Sequence, residues 1–371
     1  MADGKITIKD WLTAVASELD GTRPEMSPES ISSVLQISEL NNVVRNALSQ
    51  AKGDFSVTIY HYGDQLDDKA VAQILDHRLR TDPEMIFPIP ARNVNTVIEL
   101  VASLGLKTHD HTVRLVGRSG NSSVRLTVVH CNEGQNVFLR CTRMGSVSVE
   151  DLVHRRTLSS DVAILLTDML LYYPRWTLVV CGPGGAGKST MMNTLLAHWS
   201  EVSHSAKRGR TPGVAVMQGD AVDFIPPSYG VSVFSPSGIE DISSAARTCN
   251  TSVIVFGETT RPETARVFIE SQAATTCAAT TTHGDISVAD NFLGRTGTIY
   301  IQMLPITDER IVVAAVGARI DRMLGVPAGN DKILMLVQYN ILEDRFVITN
   351  HGEEARSTAE KLRKMIYGKR Q

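Results

Sequence analysis

The sequence predicts an α/β chain in two domains: a C-terminal domain with a largely parallel sheet, preceded by a smaller α+β domain. Three observations carry this. The length, 371 residues, exceeds what one ordinary domain holds, at roughly 100–200 residues each. From residue 161 onward, apolar strand-like runs alternate with helical stretches, the rhythm of βαβ units. Before residue 144 the order differs, with helices followed by polar-punctuated strands that read as an antiparallel meander.

In the first domain, residues 1–143, the leading 25 residues are polar, with helical character at Ile8–Leu19. Helical spacing runs from Pro28 to Ala51, and Phe55–His61 alternates as a strand. Lys69–Leu79 reads as a helix, and Asn93–Leu104 as another, stopped by Gly105. Strands follow at Thr112–Val116, Val124–Val129 and Asn136–Cys141. Residues 144–160, with Gly145, several serines and a charged stretch, read as a linker. The second domain, residues 161–371, opens with a helix at Asp161–Tyr172 and a strand at Trp176–Cys181. A helix follows at Lys188–Trp199, then strands at Gly213–Met217, Ser252–Phe256 and Thr275–Thr281. Helices intervene at Ile239–Arg247 and Pro262–Gln272. Late strands fall at Ile311–Val316, Ile333–Asn340 and Arg345–Thr349, before a charged helix at Glu353–Tyr367.

Composition narrows the function classes. With 43% hydrophobic residues the chain has ample material for a core, which excludes general disorder. The formal charge of −3 argues against a protein that coats nucleic acid. Five scattered cysteines without a C-x-x-C pair argue against a disulfide framework or a structural zinc site, and fit a reducing cytoplasm. No stretch reaches the roughly 18 apolar residues of a membrane span, so association with a membrane is expected to come through partners.

The informative motif is Gly182-Pro183-Gly184-Gly185-Ala186-Gly187-Lys188-Ser189. It matches G-x-x-x-x-G-K-[ST] in full, between an apolar strand and a helix, as a phosphate-binding loop requires. Glycines let backbone N–H groups turn toward phosphate oxygens, and the helix N-terminus adds partial positive charge. Gly182, Gly184, Gly185, Ala186, Gly187, Lys188, Ser189 and Thr190 are thus the expected nucleotide contacts. Lys188 reaches the β- and γ-phosphates, Ser189 holds Mg²⁺ and Thr190 faces the α-phosphate. A second signature is the apolar strand Ser252–Phe256 ending in Gly257-Glu258. A carboxylate there can orient the attacking water.

Val255-Phe256-Gly257-Glu258, followed by Pro262-Glu263-Thr264-Ala265, resembles the "VGE-x-x-x-x-E-T" block of the ATPases of type II and type IV secretion, conjugation and type IV pili. Gly219-Asp220-Ala221-Val222-Asp223-Phe224 resembles that superfamily's acidic box. Ala245-Ala246-Arg247 resembles its arginine before the Glu strand. Thr280-Thr281-Thr282-His283-Gly284 resembles its histidine box, and Val124-Arg125-Leu126-Thr127 with Phe138-Leu139-Arg140 its N-terminal arginine strands. The layout is most similar to the short members with one phosphate loop, the DotB/TraJ-like and pilus-retraction types. The chain departs from the pattern at Thr260, Arg261, Thr276 and Ala221.

The resemblance implies a PAS-like first domain, a RecA-like second domain and a cytoplasmic homohexamer that hydrolyses ATP with Mg²⁺. The ring would dock on inner-membrane and cytoplasmic components of a secretion, conjugation or pilus machine, with no sequence-specific grip on nucleic acid. Glu258 would be the general base or water-orienting group, and His283 the γ-phosphate sensor. Asp220 and Asp223 would sit near Mg²⁺. Arg125, Arg140 and Arg247 would compensate charge on the leaving phosphate. Two alternatives stay open: a ring scaffold that binds ATP with little hydrolysis, and another phosphate-loop enzyme such as a small-molecule kinase.

Overall fold

In the computed structural model, the chain divides into two compact units, Met1–Ser146 and Val147–Gln371. The structure describes residues 6–50, 55–62, 69–76, 85–103, 112–120, 122–131, 134–143, 147–206, 214–217, 231–234, 253–259, 262–272, 277–293, 297–307, 310–325 and 332–367.

Unit one opens with α1 (Ile8–Asp20). Thr7 and Asp10 form a reciprocal capping box at its start, and Gly21 in left-handed conformation ends it. Its Trp11 is fully buried and donates its indole N–H to Asn41, 2.8 Å away. The helical spacing from Pro28 to Ala51 resolves into two helices, α2 (Pro28–Val34) and α3 (Ser38–Gln50). Between them Gln36 takes φ 58°, and the N–H groups of Gln36 and Ile37 bond back to Ser33 and Ser32. That reversal closes α2 and turns Leu35 and Ile37 into the core.

The strands of unit one are β1 (Phe55–Tyr62), β2 (Lys69–Asp76), β3 (Met85–Pro90), β4 (Thr112–Ser119), β5 (Ser122–Cys131) and β6 (Gly134–Arg143). Helix α4 (Ala91–Ser103) follows β3. The order is β3-β2-β1-β6-β5-β4, every pair antiparallel. The expected helix at Lys69–Leu79 is corrected here: its first part is β2. Ala70, Ala72 and Ile74 are buried while Val71 is exposed, a period of two. Pairing along β1 and β3 overrides the helix propensity of its Ala, Gln and Leu residues. One sheet face, with Val57, Ile59, Leu126, Val128, Val137 and Leu139, packs on Trp11, Val15, Leu40 and Val97. Helix α1 lies so close to β4 that a Cβ on Gly117 would stand 2.2 Å from the Leu12 carbonyl carbon.

In unit two, the expected linker contains α5 (Val149–His154), with Val149 and Leu152 buried in that unit's core. Its N-cap Ser148 and Asp151 form a second capping box. Helix α6 (Ser160–Tyr172) leads to β7 (Trp176–Cys181), buried at every position, and then α7 (Lys188–Ala206). The remaining strands are β8 (Val214–Met217), β9 (Val231–Phe234), β10 (Val253–Phe256), β11 (Cys277–Thr282), β12 (Thr298–Thr307), β13 (Arg310–Ala318), β14 (Leu334–Asn340) and β15 (Arg345–Ile348). The helices among them are α8 (Pro262–Gln272), α9 (Ile286–Leu293), α10 (Ile320–Met323) and α11 (Asn350–Tyr367). The expected helix at Ile239–Arg247 lies outside the described residues. The sheet order is β15-β14-β13-β12-β7-β11-β10-β8-β9. From β12 to β9 neighbours are parallel, and β13, β14 and β15 add an antiparallel meander on one side.

A buried polar cluster ties α9 to this sheet. Asp290 accepts from Tyr300 Oη at 2.6 Å and from Arg319 Nε at 3.0 Å and Nη2 at 2.5 Å. Burial pushes the Tyr300 phenol well above its usual range, and the bond to Asp290 adds to this.

Two stability outcomes are expected. A Gly117→Ala variant should lose about 1–3 kcal/mol, because the helix backbone must move off β4. An Asp290→Ala variant removes the carboxylate that Tyr300 and Arg319 share and should lose about 3–5 kcal/mol. Urea unfolding of the purified variants measures both; a midpoint equal to wild type would refute the corresponding packing account.

Candidate active site

The site is built at the carboxyl ends of three neighbouring parallel strands, β7, β11 and β10. At the end of β7 the chain turns sharply. Gly182 takes φ 144°, and a Cβ there would stand 2.4 Å from the carbonyl oxygen of Met303 on β12. No side chain fits. Gly185 and Gly187 follow with φ 73° and 69°, in the left-handed region that favours glycine. The Ala186 N–H closes the turn on Pro183 O at 3.3 Å, and Met191 N–H to Gly187 O opens the helical ladder of α7. Leading N–H groups of a helix have no partner within it. They therefore face the loop's concavity, ready for phosphate oxygens.

Helix α7 is held in place by Met191, Met192, Leu195 and Leu196, all buried. Trp199 meets Trp176 edge to face, with ring centroids 5.6 Å apart. Lys188, its first residue, is buried, and its ammonium donates to Pro183 O at 2.8 Å. Ser189 beside it is half-buried and Thr190 exposed. Beneath the loop, burial pushes the Cys181 thiol up to about 12, and Asp285 adds to the shift. That thiol is protonated at neutral pH, which excludes it as a nucleophile.

Glu258 follows β10 after Gly257, and His283 follows β11. His283 Nε2 lies 2.9 Å from Glu258 Oε1, and its Nδ1 lies 3.5 Å from Lys188 Nζ. An ammonium can only donate, so Nδ1 is the acceptor. Nε2 then carries the proton and donates to Glu258. A cation, a neutral imidazole and a carboxylate thus stand in line along the strand ends.

A lattice of threonines sets this alignment. Thr281 Oγ1 donates to Gly257 O at 2.6 Å, and Thr282 Oγ1 to Thr259 O at 2.7 Å. Thr259 N–H donates to Thr281 O at 2.8 Å, and its hydroxyl meets that of Thr280 at 2.7 Å. Side chains so continue the β10–β11 pairing beyond the strands, and the segment carrying Glu258 is clamped on both sides. Reading the motifs gave these threonines no role. The signal was present as three consecutive β-branched hydroxyl residues at a buried strand's end.

The structure brings Lys188, His283 and Glu258 together, with Ser189 adjacent to Lys188. Arg125 and Arg140 stand directly opposite each other on β5 and β6 of unit one. Their flanking residues Val124, Leu126, Leu139 and Cys141 are buried toward the helices, so both arginines occupy the opposite face. Asp220, Asp223, Arg247, Thr260, Arg261 and Thr276 lie outside the described residues. Among the described residues, no group of three or more His, Cys, Asp or Glu side chains forms a metal cage.

No family model and no curated protein matches the sequence. Solved structures do. The chain is similar to the pilus retraction motor PilT in its ADP-bound structure, at 14% identity and a TM-score of 0.50 over 87% of this chain and 89% of that one. The ATPase DotB of Legionella pneumophila aligns at 13% identity with a TM-score of 0.49, over 88% and 87% of the two chains. The VirB11 ATPase of the Brucella suis type IV secretion system, in complex with sulphate, aligns at 11% identity with a TM-score of 0.33, over 78% and 99%. The likeness to PilT establishes the fold: an N-terminal α+β unit followed by a RecA-like unit built on a phosphate-binding loop.

Proposed function

We propose that this chain hydrolyses ATP and works as a motor subunit of a type IV secretion, conjugation or pilus machine, or of a related type II secretion machine. The observation that carries the reading is the line Lys188–His283–Glu258 at the carboxyl ends of β7, β11 and β10. The glycine-rich turn cradles phosphate oxygens with backbone N–H groups, and Lys188 neutralises charge at the β- and γ-phosphates. Glu258 accepts a hydrogen bond from the attacking water and orients it in line with the γ-phosphate. His283 lies between the two and holds Glu258 in position through Nε2.

Ser189 offers a hydroxyl at the first turn of α7, which fits Mg²⁺ bound mainly through phosphates and water rather than by a protein cage. When bound, the ion neutralises charge on the phosphate oxygens. Asp220 and Asp223 are assigned to its surroundings by the motif resemblance alone. Arg125, Arg140 and Arg247 are the candidates for stabilising charge on the leaving phosphate, within one subunit or across a ring. The ring is taken to be a homohexamer in the cytoplasm, docked on inner-membrane components. The likeness of fold to a pilus retraction motor supports the motor reading over a small-molecule kinase.

Steady-state phosphate release with ATP and Mg²⁺, without any acceptor, tests the hydrolysis. Wild type should turn over; release only on addition of an acceptor would indicate a kinase, and none at all a scaffold. Glu258→Gln should lower kcat by at least about 100-fold while nucleotide affinity changes little. Normal turnover by this variant would remove Glu258 from the mechanism. Thr281→Val deletes a clamp on the Glu258 segment and should lower kcat about ten-fold with KM nearly unchanged. An equal rise in KM without loss of kcat would instead place that threonine in substrate binding.

A further inference from the structure

His283 stands largely in the open. Its side chain is 53% exposed, and its ring nitrogens meet Glu258 and Lys188. An imidazole so placed takes its position from the backbone on either side. On the amino side the threonine lattice fixes β11 against the Glu258 segment. On the carboxyl side Gly284 alone separates His283 from Asp285, the residue that starts α9. Asp285 Oδ1 accepts the Val288 N–H at 2.9 Å, and the Asp285 carbonyl accepts the Ala289 N–H at 3.0 Å. The turn is tight, since a Cβ on Gly284 would stand 2.9 Å from the Val288 Cβ. A rotation of α9 is therefore passed on to His283.

Two kinds of contact hold that helix. Ile286, Ala289 and Leu293 are buried on one face, at helical spacing. Apolar packing is non-directional, so it sets the depth of a short helix better than its rotation. Asp290 lies on the same face, one turn after Ile286, and supplies the direction. Its carboxylate accepts from Tyr300 Oη and from Arg319 Nε and Nη2. Both posts are fixed. Tyr300 is fully buried in β12, opposite Val179 of the strand that carries the phosphate loop. Arg319 is 9% exposed, and its backbone N–H bonds to Thr298 O at 3.0 Å. A buried ion pair gains little stability over an apolar cluster of the same size. What it adds is geometry, because a two-point guanidinium–carboxylate bond permits one orientation.

We propose that Asp290, held by Arg319 and Tyr300, is a positioning residue for His283: it fixes the rotation of α9 and, through Asp285 and Gly284, the place of the imidazole between Lys188 and Glu258. None of the three touches the phosphate loop's own turn, and the motifs give none of them a role. The effect of Asp290 on turnover rests on the proposed hydrolysis of ATP. Its effect on the His283–Glu258 bond does not.

Two measurements on the full chain test it. With isotope-labelled histidine, the imidazole nitrogen resonances of His283 are identified by their loss in His283→Gln. Asp290→Asn should move them toward those of an unrestrained histidine and leave the other imidazole resonances in place. The second measurement is phosphate release. Asp290→Asn should lower kcat about ten-fold with KM nearly unchanged. Made in His283→Ala, the same change should cost less than about two-fold, because the group it positions is gone. A merely structural role would cost the same factor in both backgrounds. Unmoved His283 resonances would overturn the proposal, as would equal losses in the two backgrounds. If wild type released no phosphate, hydrolysis would be refuted and the His283 resonances alone would decide. Should Asp290→Asn fold poorly, Arg319→Lys keeps the charge but loses the two-point hold on Asp290, and the same outcomes are read from it.

Discussion

The candidate site depends on one constraint, the parallel pairing of β7, β11 and β10. Because the three strands run the same way, their carboxyl ends emerge on one edge, a strand spacing of about 4.8 Å apart. Residues distant in sequence, Lys188, Glu258 and His283, are thereby placed side by side. All positions of the three strands are buried. A buried backbone must satisfy its hydrogen bonds within the sheet, so the strands cannot slide independently. Rigidity at the site is inherited from the core beneath it.

Strand pairing alone stops at Phe256 on β10. The threonines extend that order outward, because their hydroxyls bond to the backbone carbonyls of Gly257 and Thr259 just past the end of β10. Threonine is suited to this position: its branched Cβ favours the strand and its hydroxyl supplies the bond. On the other side, Gly182 lets β7 leave the sheet against the Met303 carbonyl of β12. The phosphate loop is thus wedged between a backbone contact below and the His283–Glu258 pair beside it.

Unit one follows the same logic with different means. Its antiparallel sheet buries one face under helices, and Gly117 allows α1 to approach β4 backbone to backbone. The other face carries Arg125 opposite Arg140.

Much of this was legible in the residues themselves. The octet Gly182–Ser189 specifies its own geometry, because only glycine fits at Gly182 and the left-handed angles at Gly185 and Gly187 favour it. The helices Ile8–Asp20 and Pro262–Gln272 and the strand Trp176–Cys181 follow from local pattern and end signals. Tertiary structure decided the rest. Lys69–Asp76 is a strand because β1 and β3 flank it, information that no local window contains. Residues 147–154 belong to the second unit because its core accepts Val149 and Leu152. The line from Lys188 through His283 to Glu258 joins three segments far apart in the chain. Sequence set the chemistry of each residue; only strand order and direction set the distances between them, because those arise from pairing across the whole sheet.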